Sequence, residues 1–479
     1  MVILSKVNST SIVHSKKASN TSKEVVLEKK GCTRPSSLTL YVPMKLNIDE
    51  ILEKHPPDFK YHKDHFIYIL HLITSLHSKK RDSIDSYDSF TPINGQVLQK
   101  RNHEYKKYLK YLLDRKIIIC DWYYIPKKKS LAYKVSNRYQ SEIRAIEITK
   151  RTLIKSIINN RDYNKEKTEE LLFLKKWFNS NLKIDIISAK KYLRAEYLKD
   201  KKIRSQKPKS TPEIKYNARL LPALNTHTQN HNFHVDNKGY RLHTNLTQTK
   251  TELRKFISYN DKKLCAIDIK NSQPFLTIAL LDKAIFLKNN IQDKIINPNL
   301  INNNNYPIML VDLINEIENK SDVIEFKKMV GNGKFYEEFG EILIDEKIVK
   351  IDDNCNIRAM AKDITFSTFF SPNTSIAYSP AIKVFNLKFP NVYRVFKLIK
   401  RGKKKHNSLA IALQRLEAEL VLDKACKIIN RLKPNIPLYT LHDSIITTEE
   451  NVKFIELIMT RVLQKQIGIK PNLKVEPWT

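Results

Sequence analysis

Two short apolar runs, far apart in the chain, each deliver an aspartate. Leu264-Cys265-Ala266-Ile267 leads into Asp268, and Pro437-Leu438-Tyr439-Thr440-Leu441 leads through His442 into Asp443, followed by Ser444-Ile445-Ile446-Thr447-Thr448. The first predicts a strand; the second predicts strand, tight turn, strand. A buried strand that presents a carboxylate at its end fixes the oxygen positions while a bound ion stays in solvent. Asp443 at its turn can face Asp268 across a sheet. Each signal is weak alone, because an Asp that ends a strand is commonly a helix cap or turn residue. His442-Asp443 also reads as a capped hairpin or half of a hydrolase dyad, although no Ser stands in a nucleophile-elbow context.

Between the two lies a more specific pattern. Arg358, Lys362, Phe366 and Phe370 stand four residues apart, which on a helix sets them along one slowly drifting face. The cationic turn can hold a triphosphate, Lys362 can protonate a leaving group, and the aromatic turn can stack on a base. An amphipathic helix with two surface cations explains the same residues, but less well once the helix sits between two Asp motifs.

The chain has 479 residues, enough for two or three domains. Its 85 Lys and Arg against 50 Asp and Glu leave a formal charge of +35, which favours a polyanionic partner because each neutralised phosphate releases counterions. Compositional drift is the bland alternative, since Lys, Ile and Asn abound and Gly is rare. Five scattered cysteines (Cys32, Cys120, Cys265, Cys355, Cys426) form no CxxC pair, indicating neither a zinc finger nor a disulfide framework. A reducing, cytoplasmic location is expected. No segment approaches the roughly 20 apolar residues of a membrane span, so no membrane partner is expected.

Residues 1–45, rich in Ser, Thr and Lys, predict a disordered basic tail. From 46 to 140 the pattern is globular. Tyr105, Tyr108, Leu109, Leu112 and Leu113 form one apolar stripe of a helix, with Lys100, Arg101, Lys106, Lys107 and Lys110 on the other face. A run from Ile117 to Tyr124, a turn at Pro126-Lys127-Lys128-Lys129-Ser130 and a strand from Leu131 to Val135 follow. This looks like a winged helix-turn-helix, with helix and wing meeting DNA; a helix-hairpin domain with a solvated basic face is the even-handed alternative. Residues 141–212 predict charged helices, for instance Glu169 to Phe178, ending in the linker-like Lys207-Pro208-Lys209-Ser210-Thr211-Pro212. Asn297 to Tyr306 predicts a surface loop.

Taken together, residues 213–479 resemble the palm and fingers of family A DNA polymerases and the related phage-type single-subunit RNA polymerases. Further segments fit in the same order: Gly239-Tyr240-Arg241-Leu242-His243 with Asn245-Leu246, Arg254-Lys255-Phe256, Phe389-Pro390-Asn391-Val392, and Gln414-Arg415-Leu416-Glu417-Ala418. The resemblance implies an α+β right-hand polymerase in which residues 141–212 supply thumb-like helices and a winged-helix-like domain precedes them. It implies Asp268 and Asp443 as ligands of two Mg2+ ions, Arg358 and Lys362 as triphosphate contacts, and Lys362 also as general acid. Phe366 would lie near the nascent base pair, with Phe370 ending the helix. Arg241, His442 and Gln414 would hold the primer terminus or its duplex. Primer-template nucleic acid and nucleoside triphosphates are the implied partners.

The departures are informative. Five residues after the metal Asp, where the family usually has a Glu that blocks the ribose 2′ hydroxyl, stands Gln273; Phe370 replaces a Tyr, Ser371 a Gly, and Ser444 an acidic residue. Asp268-Ile269-Lys270-Asn271 also resembles the first metal motif of reverse transcriptases, whose Tyr-x-Asp-Asp is absent. An RNA polymerase, a reverse transcriptase and a non-catalytic DNA-binding initiator therefore stay open. A phage, plasmid or other mobile element is a plausible source.

Overall fold

The chain is described by a computed structural model over residues 36–79, 90–126, 129–159, 163–204, 212–287, 306–347, 356–401 and 406–479. Most of the expected tail, the linker residues 207–211, the loop 297–305 and the turn residues Lys127 and Lys128 lie outside these. The fold is mixed helix and sheet. Its strands are β1 (Leu38–Pro43), β2 (Thr91–Pro92), β3 (Ile118–Cys120), β4 (Ala132–Val135), β5 (Ile143–Ile148), β6 (Tyr163–Asn164) and β7 (Leu182–Ile184). Then follow β8 (Phe233–Asp236), β9 (Leu242–Thr244), β10 (Ile257–Tyr259), β11 (Lys262–Ile269), β12 (Tyr439–Leu441), β13 (Ser444–Thr448) and β14 (Leu473–Pro477).

Residues 38–43, expected to belong to a disordered tail, are instead β1, antiparallel to β5. The reason is apolar: Leu40 and Val42 are buried in the N-terminal core, and Tyr41 is 1% exposed. The body of that region runs helix Lys63–Lys79, β2, helix Gly95–Gln99, helix Tyr105–Asp114, β3, β4, with the three strands in the order β2-β4-β3. As the stripe predicts, Tyr108, Leu109 and Leu112 of the Tyr105–Asp114 helix are buried. The strand expected from Ile117 to Tyr124 stops at Cys120, because Trp122 takes a left-handed φ of 52° that ends the pleat.

Residues 141–212 are not all helix. They include β5 and β7, and β7 pairs with β10 at the edge of the sheet that holds β11, so this stretch is tied into that sheet. Between Glu169 and Phe178 the helix is broken into Lys165–Glu170 and Leu172–Lys175.

The sheet that matters most has the order β12-β13-β11-β10-β7, with β14 also paired to β11. Leu264, Ala266, Ile446 and Tyr439 are buried on one side, and Cys265, Ile267, Ile269 and Ile445 on the other. Both faces are therefore covered, and the alternation expected of a sheet with one wet face is lost. Between β11 and β12 the chain builds a helical layer around Phe326, Phe335, Phe339, Phe369, Phe385, Phe389 and Phe396, all buried. Among the described residues no helix is long and apolar enough to cross a membrane.

Candidate active site

β11 and β13 are antiparallel neighbours with Asp268 opposite Ser444, so Asp443, one residue earlier, stands beside Asp268 at the same sheet end. The β12–β13 hairpin closes over His442 and Asp443, with Leu441 opposite Ser444 and His442 at φ 58°. The Ser444 hydroxyl donates to Asp268 Oδ1, and the Ser272 hydroxyl to Asp443. Across β14, Lys474 is opposite Asp268 but is paired with Glu476. Among the described residues neither aspartate has an ion-pair partner.

Both carboxylates are harder to ionise than usual, through burial and a neighbouring acid. Burial first, and then the charge of Asp443, pushes Asp268 up to about 6; burial first, and then the charge of Glu417, pushes Asp443 up to about 6. A half-buried acidic pair with no ion-paired cation is suited to a bound cation. Its donors are hard oxygens, the kind Mg2+ prefers, and Mg2+ is commonly held by one or two carboxylates while water and substrate phosphates complete its shell. Among the described residues no three His, Cys, Asp or Glu side chains group as a metal site; Asp268 and Asp443 offer two carboxylates on neighbouring strands for such an ion.

The Ile357–Phe370 helix lies beside this pair. Ala361, Thr365, Thr368 and Phe369 are buried and Phe370 packs against the core, so of the four-residue stripe the Arg358 and Lys362 end is the one turned to solvent. Arg358 and Lys362 are exposed; Phe366 and Phe370 are half-buried with ring centroids 5.6 Å apart, and Lys362 Nζ is 5.7 Å from the Phe366 ring. Arg358 connects the helix to the turn that follows Asp268. Its Nη2 donates to Asn271 Oδ1 at 3.4 Å, its Nε to Glu337 Oε1 at 2.8 Å, and its guanidinium lies 5.5 Å from the Tyr336 ring. Asn271, three residues after Asp268 and left-handed at φ 52°, also donates to Gly333 O at 2.8 Å. Tyr336 is buried and its hydroxyl is pushed up by that burial, with Asp443 among its charged neighbours.

On the other flank, Arg241 is not a free cation. Its Nε and Nη2 make a bidentate pair with Glu417 at 2.9 and 2.7 Å, and Glu417 is 1% exposed. The expectation that Arg241 touches a duplex thus meets a guanidinium already engaged by a carboxylate. Gln273 Nε2 donates to the same Glu417 at 3.3 Å. The turn that carries Arg241 is organised by Asp236, whose oxygens accept from the backbone N–H of Lys238, Gly239 and Arg241 and bond His243 Nε2. Burial opposes ionisation of Asp236, but the His243 and backbone bonds outweigh it and hold the carboxyl down to about 2. A Cβ at Gly239 would meet Gln414 Oε1 at 2.5 Å and Gln414 Cβ at 3.1 Å. Gln414 therefore packs on the Arg241 turn, and His442 stands edge-on to His243 at 6.4 Å.

The N-terminal cations lie on the separate N-terminal core. Lys100, Lys106 and Lys107 are exposed, Lys107 paired with Glu104; Arg101 is committed to Ser156 Oγ at 3.0 Å and Tyr68 Oη at 3.4 Å; Lys129 bonds Asp121 at 2.9 Å. Sequence reasoning missed Glu417, Tyr336 and Asn271 as members of the site. Only Glu417 had a signal, as an acid inside an otherwise apolar helix stripe.

No family model matches the chain, and no curated protein matches it. Among solved structures the chain is similar to the POL domain of Pol1 from M. smegmatis in complex with DNA primer-template and dNTP, with a TM-score of 0.41 and 9% identity over 68% of this chain and 73% of that one. A likeness that weak carries no argument about chemistry.

Proposed function

We propose that the chain is a template-directed nucleotidyltransferase, a DNA polymerase of the family A type, with a palm carrying Asp268 and Asp443 and fingers carrying the Ile357–Phe370 helix. The observation that carries this reading is the pairing of β11 with β13, which sets two carboxylates side by side with Arg358 linked to the same corner through Asn271. Asp268 and Asp443 would hold two Mg2+ ions. When bound, these supply an acidified 3′ hydroxyl and charge neutralisation at the leaving pyrophosphate.

The chain's own residues do the rest. Arg358 and Lys362, one turn apart and exposed, meet the phosphates of the incoming nucleotide, and Lys362 gives a proton to the leaving group. Phe366 and Phe370 present ring surface to the nascent base pair. His442 and Gln414 line the primer side, while Arg241, through its pair with Glu417, braces that side. Support for a nucleic-acid-binding N-terminal module comes from the helix–strand–helix–helix–strand–strand order over residues 63–135 and from the exposed Lys100, Lys106 and Lys107.

Primer extension on a defined template with dNTPs or NTPs and Mg2+ tests the proposal. Within it, Arg358→Ala and Lys362→Ala are each expected to raise the KM for nucleotide by roughly 10- to 150-fold, the worth of one charge-assisted contact of about 1.5–3 kcal/mol, and Lys362→Ala also to lower kcat by roughly 10²- to 10⁴-fold as the lost proton donor, with primer-template affinity unchanged. Loss of DNA affinity instead, from a parent that incorporates nothing, would favour a DNA-binding initiator.

Sugar choice is the second test. Gln273 has nearly the length of the Glu it replaces, and its amide is held by Glu417, so bulk beside the ribose is kept without charge. The parent is expected to prefer dNTP, and Gln273→Gly to relax that preference by at most a few kcal/mol. Comparing incorporation of dNTP and NTP by both forms decides this; a parent that already prefers NTP moves the assignment to the RNA polymerase branch.

A further inference from the structure

A cleft of about 860 Å³ lies between the Tyr105–Asp114 helix and the β3–β4 hairpin, with Leu109, Leu113, Ile118 and Ile119 among its lining residues. Lys106, Lys110 and Lys116 stand around it with Asp114 as the acid in the lining. At its mouth is Trp122, 73% exposed, followed by Tyr123 and Tyr124, 56% and 60% exposed.

Trp122 is held outward rather than left there by default. Its φ of 52° is costly for a bulky residue, and the surrounding bonds enforce it. The Trp122 N–H donates to Cys120 Sγ at 3.4 Å; Asp121 Oδ1 accepts from the N–H of Tyr123 at 3.2 Å and of Ala132 at 3.0 Å, and its Oδ2 accepts from Lys129 Nζ at 2.9 Å. Lys129 in turn lies 4.0 Å from the Tyr123 ring. Folding alone gives no reason to hold a strained backbone that presents an indole to water, whereas a main chain already fixed in that presentation lowers the entropy cost of receiving a flat ligand.

We propose that this cleft binds an unpaired nucleotide of a single-stranded nucleic acid, its base stacked on Trp122 and its phosphates on Lys106, Lys110 and Lys116. An aromatic platform beside a basic groove is the chemistry that single strands require, because every base offers a π face. A duplex keeps those faces stacked on one another, so it can use the lysines but not the indole. An acidic amphipathic helix would match the charge, yet it needs anchors along several turns, and here the large exposed surface is three consecutive rings on a hairpin. The inference rests on the reading of residues 46–140 as a nucleic-acid module and specifies which strand state that module takes.

The test uses the full chain with a fluorescein-labelled oligothymidylate of about ten nucleotides, a matched duplex, and a Glu/Leu amphipathic peptide as competitor. Trp122→Ala is expected to weaken oligothymidylate binding by roughly 5- to 150-fold, the range of one base–aromatic stack, and to leave duplex affinity unchanged. Trp122→Phe should keep most of the affinity, and a 5-iodouracil oligonucleotide should photocrosslink to Trp122 in peptide mapping. Unchanged oligothymidylate binding in Trp122→Ala, with crosslinks elsewhere, overturns the inference while duplex binding by the parent would leave the module reading standing. Displacement by the peptide of a probe that Trp122→Ala still binds overturns it in favour of a protein partner. Should Trp122→Ala lose its circular dichroism signature, Trp122→Phe with Lys110→Glu decides: the first must bind, the second must not.

Discussion

Replacing Asp268 or Asp443 with alanine is expected to lower nucleotide incorporation by about 10³-fold or more, the scale on which removal of a principal electrostatic stabiliser acts, with duplex binding nearly intact. The two effects separate because these carboxylates stand at the end of β11 and in the β12–β13 turn with no basic side chain paired to them, so they contribute nothing attractive to a phosphate backbone. Their removal even lessens local repulsion. Single-turnover primer extension alongside a binding titration measures both arms. Activity within about tenfold of the parent for either variant would sink the assignment of these two residues as the metal pair. Ser444→Ala is the informative neighbour, since it removes the hydroxyl that orients Asp268 and leaves both carboxylates in place; a much smaller loss there ties the effect to charge.

The parts of this site that could be read in the sequence are those written in local runs. An apolar run before Asp268 and two runs around His442-Asp443 announce strands, and a four-residue period announces the Ile357–Phe370 helix with its cationic end facing out. The rest depends on contacts between distant segments. Glu417 becomes a member of the site only because the Ser408–Ala418 helix brings it to Arg241 and Gln273, and Asn271 only because its left-handed backbone aims an amide at Gly333 and Arg358. Arg241 shows the same limit: its segment reads correctly as a turn, yet whether its charge is free depends on a carboxylate in another part of the chain. The N-terminal boundary was misplaced for a related reason. β1 is a short apolar run, Leu38 to Pro43, directly after a Ser- and Lys-rich stretch, and it is pairing with β5 and burial of Leu40 and Val42 that order it.

Stability is expected to carry the signature of the acidic pair. For Asp443 the ordinary carboxyl value is 3.8, and burial with the nearby Glu417 charge pushes it to about 6 in the fold. Between those values the folded chain binds more protons than the unfolded one, so this group's contribution is fully present below about 3.8 and is lost as pH rises through about 6. At pH 7 the metal-free protein therefore carries a cost on the order of 1–3 kcal/mol from the pair. Other carboxylates change total stability in the same range of pH, so the difference between variant and parent is the useful quantity. Asp443→Asn should be no more stable than the parent near pH 4 and more stable at pH 7, with the gap in thermal midpoint opening across pH 4–7, although incorporation is lost. Mg2+ at pH 7 should raise the parent's midpoint by binding the folded state and leave that of an Asp268→Asn, Asp443→Asn double variant unmoved. A midpoint gap that stays constant from pH 4 to pH 7 would mean that Asp443 ionises without penalty, and the pair would then have no electrostatic need of a cation.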